Sequence, residues 1–350
     1  MTGLLSFENY QGLMMSNFKS ISIIENKLVL IDQTKLPLEE VYIITDDYER
    51  IAVAIERLEV RGAPAIGIAA AYAIALSYKN ISTNNSDHFN NVYIRLFKTR
   101  PTAVNLFWAL ERMKKVYFQN KNSGEISNIL MKEAKLIHQE DINMCENIAQ
   151  NGIKIFSKKS NVLTHCNTGQ LATGGNGTAF NVIKYGFENG NVNFVHVDET
   201  RPLLQGSRLT AFELSKIGIP FAINVDSASA FLMKNHEVDL VITGADRIAL
   251  NGDSANKIGT YNLAVLCKYH NIPFYIAAPT STIDKNCVSG DNIKIEFREK
   301  GELNSIKGKY ITNNEYEVYS PAFDVTPGKL ITGIITEKDL HNPPYNFKDI

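Results

Sequence analysis

The chain lacks an imbalance of charge, a cysteine framework and a long apolar run, and each shortage closes off a class of function. Lysine and arginine number 36 against 37 aspartates and glutamates, a formal net charge of -1. That leaves no basic excess to follow a nucleic-acid backbone or an anionic membrane surface, so any bound anion must be met by local groups. The longest apolar run, Ala63 to Leu76, falls short of the ~20 residues a spanning helix needs and suits a buried helix instead. The opening MTGLLSFENYQGLMMSNFKS has no basic start followed by a continuous apolar segment, so it does not read as a secretory signal and a cytoplasmic location is expected. Cys145, Cys166, Cys267 and Cys287 are widely spaced with no C-x-x-C. This argues against a zinc ribbon, gives no disulfide framework and makes reduced thiols the expectation. Internal repeats and low-complexity segments are missing too. The GGNG run at 174–177 has neither the spacing of a dinucleotide fingerprint nor the lysine of a P-loop, which disfavours both nucleotide readings.

What is present is a soluble composition, 44% hydrophobic over 350 residues, long enough for two domains or one large α/β domain. Residues 1–18 read as a loose extension. SISIIENKLVLID, from Ser20 to Asp32, alternates apolar and polar residues around Glu25-Asn26, the pattern of a hairpin. Apolar residues at three- and four-residue spacing then run through DDYERIAVAIERLEV, APAIGIAAAYAIALSYK and TAVNLFWALERMKKVYFQ to the stretch ending QNGIKIF, so 19–150 is a mostly helical domain with a small sheet. After a linker at 151–160, strand-length apolar runs alternate with helical stretches through NVLTHC, NFVHVDE, PFAINV, VDLVITGAD and PFYIAAP. This predicts an α/β class with a Rossmann-like, doubly wound parallel sheet over 161–350. Ligands of such a sheet gather at the carboxyl ends of its strands, where THC, DETRPLLQG, TGAD and APTST fall. The polar stretch 298–318 reads as a surface excursion.

Several residues at those ends can carry chemistry. Cys166 follows a strand and precedes a glycine-rich turn, where backbone N–H groups and a helix start near Gly177 or Thr178 can hold an anion or lower a thiol pKa. It can equally be a small buried hydrophobe ahead of an ordinary turn. Asp246 ends VDLVITGAD; desolvated by apolar neighbours it would act as an acid near neutral pH, and otherwise it pairs with Arg247 or caps a turn. Asn256-Lys257 read as the start of the next helix, and Arg61 stands just before a helix opened by Pro64, both natural anion sites. Arg100 and Gln205 add polar reach from extended segments. HVDE at 196–199 invites a metal reading, but strand alternation sends neighbouring side chains to opposite faces, which favours structural roles. The same alternation is expected to point His165 away from whatever Cys166 faces.

Taken together and in order, RGAPAIG, RPTAVNLFWAL, THCNTGQLATGGNGTA, DETRPLLQGSRLTAFEL, TGADRIALNGDSANKIGTYNLA and FDVTPGKLITGIITEK resemble the S-methyl-5-thioribose-1-phosphate isomerases. The same family includes the regulatory alpha, beta and delta subunits of translation initiation factor 2B. The likeness runs from about residue 19 to 340. It implies an aldose–ketose isomerase of methionine salvage that uses no metal and no cofactor, forms a homodimer, and takes a small sugar phosphate rather than nucleic acid or a membrane. Carried over by motif, the catalytic cysteine is Cys166 and the catalytic acid Asp246. Substrate binding falls on Arg61, Gly62, Ala63, Arg100, Gln205, Asn256 and Lys257. Where many members read Asn-Ala-Gly and Gly-Tyr-Gly-Thr-Ala, this chain has Asn167-Thr168-Gly169 and Gly175-Asn176-Gly177-Thr178-Ala179, departures that bear on the C5 substituent of the sugar. The alternatives within the resemblance are a 5-deoxyribose-1-phosphate isomerase, a ribose-1,5-bisphosphate isomerase, which needs a cationic receptor for its second phosphate, and a non-catalytic initiation-factor subunit.

Overall fold

The computed structural model describes residues 18–79, 81, 85–100, 104–306 and 308–350. The expected extension therefore lies, but for Phe18, outside the described residues, as do Pro101, Thr102 and Ala103 of the RPTAV stretch. Two compact units meet inside the helix Ile126–Gly152, the first reaching Ile137 and the second running from His138 to Ile350.

The first unit opens with strands β1 (Ile21–Ile24), β2 (Lys27–Ile31) and β3 (Tyr42–Thr45), an antiparallel sheet in that order. Glu25 and Asn26 turn the β1–β2 hairpin with φ of 50° and 57°, the twist that two-residue hairpin turns require. Helices follow. Asp47 caps Tyr48–Glu56 by accepting from the Glu49 N–H at 2.9 Å, satisfying one of the orphan donors of the first turn. Ala63–Ser77 carries Pro64 in its first turn and is buried from Ala65 through Leu76. A helix apolar all round sits inside a core rather than on it. It packs against Val104–Asn120, and with β1, β2 and the helices around it forms one apolar cluster.

The second unit is built on seven strands: β4 (Ser160–Thr164), β5 (Val192–Asp198), β6 (Phe221–Asn224), β7 (Leu240–Thr243), β10 (Phe274–Ala277), β14 (Gly333–Ile335) and β15 (Leu340–His341). Their spatial order is β15-β14-β10-β7-β4-β5-β6, parallel throughout except for β15. Crossover helices Ala179–Glu188, Ala211–Ile217, Ser229–Lys234 and Thr260–His270 connect them, and apolar clusters pack on both faces of the sheet. The doubly wound α/β class expected from the alternating runs is what the chain adopts. From β4 the chain winds outward through β5 and β6, then returns to the other side of β4 as β7. The strand order thus reverses between β4 and β7, the position where ligands of open α/β sheets bind.

Two parts of the second unit differ from expectation. A second sheet, β13-β9-β8, stands apart from the main one and is antiparallel: β8 (Arg247–Ile248), β9 (Ser254–Lys257) and β13 (Phe323–Thr326). Asn256 and Lys257 are the last residues of β9 rather than the start of a helix, because Gly259 at φ 105° interrupts the chain before the helix opens at Thr260. FDVT, as β13, likewise pairs with β9 and lies outside the main sheet. The polar stretch 298–318 holds a short helix (Lys300–Asn304) and a small hairpin, β11 (Ser305–Ile306) with β12 (Lys309–Tyr310), mostly exposed.

Candidate active site

Cys166 lies two residues past the end of β4, buried, and holds φ 64°. A non-glycine residue in the left-handed region costs about 1–3 kcal/mol and persists only where its surroundings over-determine it. Here they do. The Cys166 N–H donates to Thr200 Oγ1 at 2.9 Å, and its carbonyl accepts from Thr210 Oγ1 at 2.6 Å. Thr200 is itself left-handed, at φ 67°, and is held by its N–H donating to Asp226 Oδ1 at 2.8 Å while the Arg201 N–H donates to Oδ2 at 2.8 Å. Leu204, at φ 58°, completes the turn by donating to the Thr200 carbonyl at 2.7 Å. The DETRPLLQG loop is therefore a clamp on the backbone of Cys166.

That clamp depends on Gly206. A Cβ there would run into the Asp198 carbonyl oxygen, so only glycine lets the loop pass so close to β5. The chain then makes one turn of π-helix, Gly206–Thr210, a local widening of the helix common at functional sites. It delivers Thr210 to the Cys166 carbonyl and Glu213 to the next residues: the buried Glu213 carboxylate accepts from Asn167 Nδ2 and from the Gln170 N–H, both at 2.6 Å. No local signal marks Glu213 in the sequence, since its partners lie over 40 positions away. Gln205, the residue before the π-turn, is 5% exposed. Among the described residues its Oε1 is buried without a hydrogen-bond partner, an acceptor that a ligand hydroxyl would satisfy.

The glycine-rich turn after Cys166 is held from the long helix. Asp141 accepts from the Gly174 N–H at 2.6 Å, and His138 Nε2 lies 3.0 Å from the Gly174 carbonyl and donates to it. Burial pushes the Asp141 carboxyl up to about 6, against the lowering effect of its Gly174 and Gly175 hydrogen bonds. A carboxyl raised in the fold holds its proton more tightly there than in the unfolded chain. Stability from this group is therefore greatest at low pH and falls as pH rises from about 4 to about 6. Asp141→Asn keeps an acceptor for Gly174 and removes the buried charge. The variant is expected to be no less stable than the parent at neutral pH, with a gain of up to roughly 2 kcal/mol that vanishes at acid pH. Thermal melting across that range checks it; a neutral-pH loss would show that the charge itself holds the turn.

Asp246 lies three residues past the end of β7, the strand beside β4, with its N–H donating to the Ala255 carbonyl at 2.9 Å. Its side chain is exposed. Desolvation by apolar neighbours, one of the two readings open for it, is thus not supplied by the chain around it, because the apolar strand ends three residues earlier, at Thr243. Arg247 reaches Asp284, at 3.7 Å. Asn256 is buried, its Nδ2 donating to Thr260 Oγ1 at 2.9 Å, and that hydroxyl donates to the Lys257 carbonyl at 2.7 Å. Lys257 donates from Nζ to the Ala322 carbonyl at 3.0 Å and lies 4.5 Å from the centre of the Phe323 ring. One of its three N–H groups is thereby committed and the ammonium is fixed in place. Cys166, Gln205, Asp246, Asn256 and Lys257 all belong to the second unit, on segments that follow its strands or form its small sheet.

The other expected residues belong to the first unit. Arg61 is half-buried, Gly62 caps the Ala63–Ser77 helix with φ 92°, and Ala63 is its first residue. Arg100 is half-buried just after the helix Ser86–Phe97.

Histidine and carboxylates do gather at one point, where His165, Asp198 and Asp226 offer ligand atoms close together. Those atoms are already committed. Asp198 Oδ1 accepts from Asn224 Nδ2 at 2.6 Å and Ser229 Oγ at 2.8 Å, Oδ2 faces His165 Nδ1 at 2.9 Å, and both Asp226 oxygens serve the Thr200 turn. The cluster reads as a hydrogen-bonded support for the Cys166 loop, in line with the structural role expected of HVDE.

Comparison with known proteins agrees with this architecture. The initiation factor 2 subunit family model matches residues 59–343. A methylthioribose-1-phosphate isomerase of Caldicellulosiruptor saccharolyticus is 51% identical over 324 residues, which cover 91% of this chain and 95% of that protein. Among solved structures, the 5-methylthioribose 1-phosphate isomerase of Pyrococcus horikoshii OT3 superposes with a TM-score of 0.90 at 41% identity, covering 93% of each chain. A structure from A. fulgidus described as translation initiation factor eIF-2B, subunit delta, superposes at 0.86 with 40% identity, covering 93% of this chain and 96% of that one. With a family model that spans most of its length, the chain belongs to the initiation factor 2 subunit family.

Proposed function

We propose that the protein is an enzyme, the aldose–ketose isomerase that converts 5-methylthioribose 1-phosphate to 5-methylthioribulose 1-phosphate in methionine salvage. One observation carries this reading from the structure: Cys166, pinned in a left-handed conformation, and Asp246 follow adjacent strands at the reversal point of the sheet. The isomerase relatives over nine-tenths of the chain supply the reaction. Two positions departing from the usual motif, Thr168 and Asn176, flank the same turn and would bear on the C5 group.

The chemistry fits the residues. The anomeric oxygen of an aldose 1-phosphate is esterified, so the ring cannot open by losing a hydroxyl proton. The ring oxygen must leave C1 with its bonding pair and take a proton from an acid, which is the role assigned to Asp246. Exposed in the chain alone, Asp246 would gain its desolvation from the bound sugar. C1, now electron-poor, accepts hydrogen from C2 as a hydride while the C2 hydroxyl returns its proton to Asp246. The product is a ketone at C2 with the phosphate still on C1. Cys166, beside the migrating hydrogen, stabilises the charge that develops there. The alternative is proton transfer, in which a Cys166 thiolate removes the C2 proton and delivers one to C1. Gln205, with its unsatisfied Oε1, is assigned to a sugar hydroxyl, and Asn256-Lys257 with Arg61, Gly62, Ala63 and Arg100 to the rest of substrate binding.

Incubating the protein with 5-methylthioribose 1-phosphate and following carbon and phosphorus resonances tests the reading. A new C2 ketone with an intact C1 phosphoester supports it; release of inorganic phosphate, or no reaction, removes it. Recognition of the anion is local, and charge-assisted hydrogen bonds contribute about 1.5–3 kcal/mol each. Lys257→Ala and Arg61→Ala are therefore expected to lower kcat/KM by roughly ten- to a hundredfold. Near-parental kinetics in both folded variants would take these residues out of the site.

The proposal extends to assembly and location. β6 is an edge strand with Ala222 and Ile223 exposed, followed by exposed Val225 and Phe231, apolar surface that a homodimer would cover. Sedimentation at twice the 39.1 kDa chain mass is expected. Among the described residues no helix is long and apolar enough to cross a membrane, and the four cysteines are buried and form no disulfide. Both features suit a cytoplasmic enzyme.

A further inference from the structure

We infer that His165 is a positioning residue for the isomerisation: an imidazolium donating from both ring nitrogens that locks the segment after Asn256-Lys257 onto the strand end that bears Cys166. The inference starts from acceptors. His165 is 1% exposed, with Nδ1 2.9 Å from Asp198 Oδ2 and Nε2 2.9 Å from the Ile258 carbonyl oxygen. A carbonyl oxygen cannot donate, so Nε2 must carry a proton. Asp198 Oδ1 already accepts from Asn224 and Ser229, leaving a carboxylate whose other oxygen faces Nδ1 and calls for a second proton there. A neutral imidazole would set a bare lone pair against one of the two oxygens, a buried mismatch costing more than the bond it replaces.

The surroundings supply the charge balance. Strand β5 contributes Asp198, the segment after β6 contributes Asp226, and β13 contributes Asp324, whose carboxylate accepts from the Gly259 N–H at 2.7 Å and the Tyr261 N–H at 3.1 Å. Burial alone would strip the proton from His165. The hydrogen bond and charge of Asp198, the charge of Asp226 and the Ile258 carbonyl outweigh it and leave the pKa raised.

The geometry also says what the bridge does. His165 is the residue before Cys166, and Ile258 the residue after Lys257. Gly259 closes directly on the ring, where a Cβ would stand 3.0 Å from Cε1. One imidazole thus ties the end of β4 to the end of β9, two segments whose main-chain pairing lies in different sheets. Misplacing a binding residue by about 1 Å can cost about a hundredfold in rate.

The positioning role rests on the isomerase reading; the charge state does not, and the test separates them. In protein labelled with ¹⁵N-histidine, His165 should show both ring nitrogens protonated at a pH where the exposed histidines have already lost a proton. Asp198→Asn presents an amide N–H to Nδ1 and should convert His165 to the neutral form protonated only at Nε2. His165→Gln cannot bridge both oxygens and should lower kcat/KM for 5-methylthioribose 1-phosphate by about ten- to a hundredfold, the larger share in KM. A neutral His165 in the parent, or both nitrogens still protonated in Asp198→Asn, overturns the charge assignment. Parental kinetics in folded His165→Gln overturns the positioning role. Should His165→Gln not fold, Asp198→Asn takes its place kinetically, with a raised KM expected and an unchanged one fatal to the proposal. Failure of the parent to turn over the substrate would instead count against the isomerase reading and leave the nitrogen spectra to judge the bridge.

Discussion

Asp246→Asn is expected to fold like the parent and to lose about two to four orders of magnitude in kcat. The fold is expected to tolerate the change, because Asp246 is exposed, its backbone N–H still donates to the Ala255 carbonyl, and the amide has the size and shape of the carboxyl. Turnover should not be indifferent. An amide keeps the shape and the polarity of the carboxyl but has no proton to give the departing ring oxygen, and no basic oxygen to take one back from the C2 hydroxyl. Melting and turnover measured on the same preparation distinguish this from a purely structural role, which predicts a fall in stability with activity per folded molecule preserved.

The second large effect is at Cys166. Its clamp acts on backbone atoms, the N–H held by Thr200 and the carbonyl by Thr210, so Cys166→Ser leaves both bonds available and should reach the same left-handed conformation. The loss expected is roughly a hundred- to a thousandfold in kcat, the scale seen when one group that stabilises developing charge is removed. Heavy water then separates the two routes for hydrogen. A direct hydride shift from C2 to C1 leaves the product free of solvent deuterium at C1. Substantial deuterium there would make Cys166 the carrier of a proton and reject the shift, and in that case the serine variant should lose still more, since a hydroxyl is a poor base for a carbon-bound proton.

How far these residues could be read without coordinates depended on whether the deciding interaction was local. The β1–β2 hairpin was legible because alternation and Glu25-Asn26 lie within one short stretch, and the parallel sheet was legible because each buried strand is a short apolar run. The loops at the strand ends followed from the same pattern, and with them the placing of Cys166 and Asp246. Asn256-Lys257 were misread as a helix start: the apolar spacing of TYNLAVL runs on from NKIG without a break in the sequence, and the pairing of β9 with β13, nearly 70 residues later, has no local mark. For Asp246 the sequence left open desolvation by apolar neighbours or pairing and capping; β7 ends at Thr243, and three residues beyond it the side chain is exposed. At His165, too, the strand pattern reaches only to its edge. β4 stops at Thr164, and the backbone of Cys166 turns left-handed directly after it. Glu213, Thr210 and Thr200 escaped notice because what makes them matter is contact with Cys166 or its neighbours across 34 to 46 positions, which no motif spacing reports.

The most direct measurement of the central claim is the specificity constant for 5-methylthioribose 1-phosphate set beside those for 5-deoxyribose 1-phosphate and ribose 1,5-bisphosphate under one set of conditions. Extra apolar bulk in a pocket is worth only about 1–3 kcal/mol per methylene-sized group, so the margin over the deoxy compound is expected to be roughly ten- to two-hundredfold. The account predicts the highest value for the methylthio sugar, with both catalytic variants losing turnover of every substrate alike. A clear preference for the deoxy compound or the bisphosphate would contradict the substrate assignment, and no turnover of any of the three would contradict the enzyme itself.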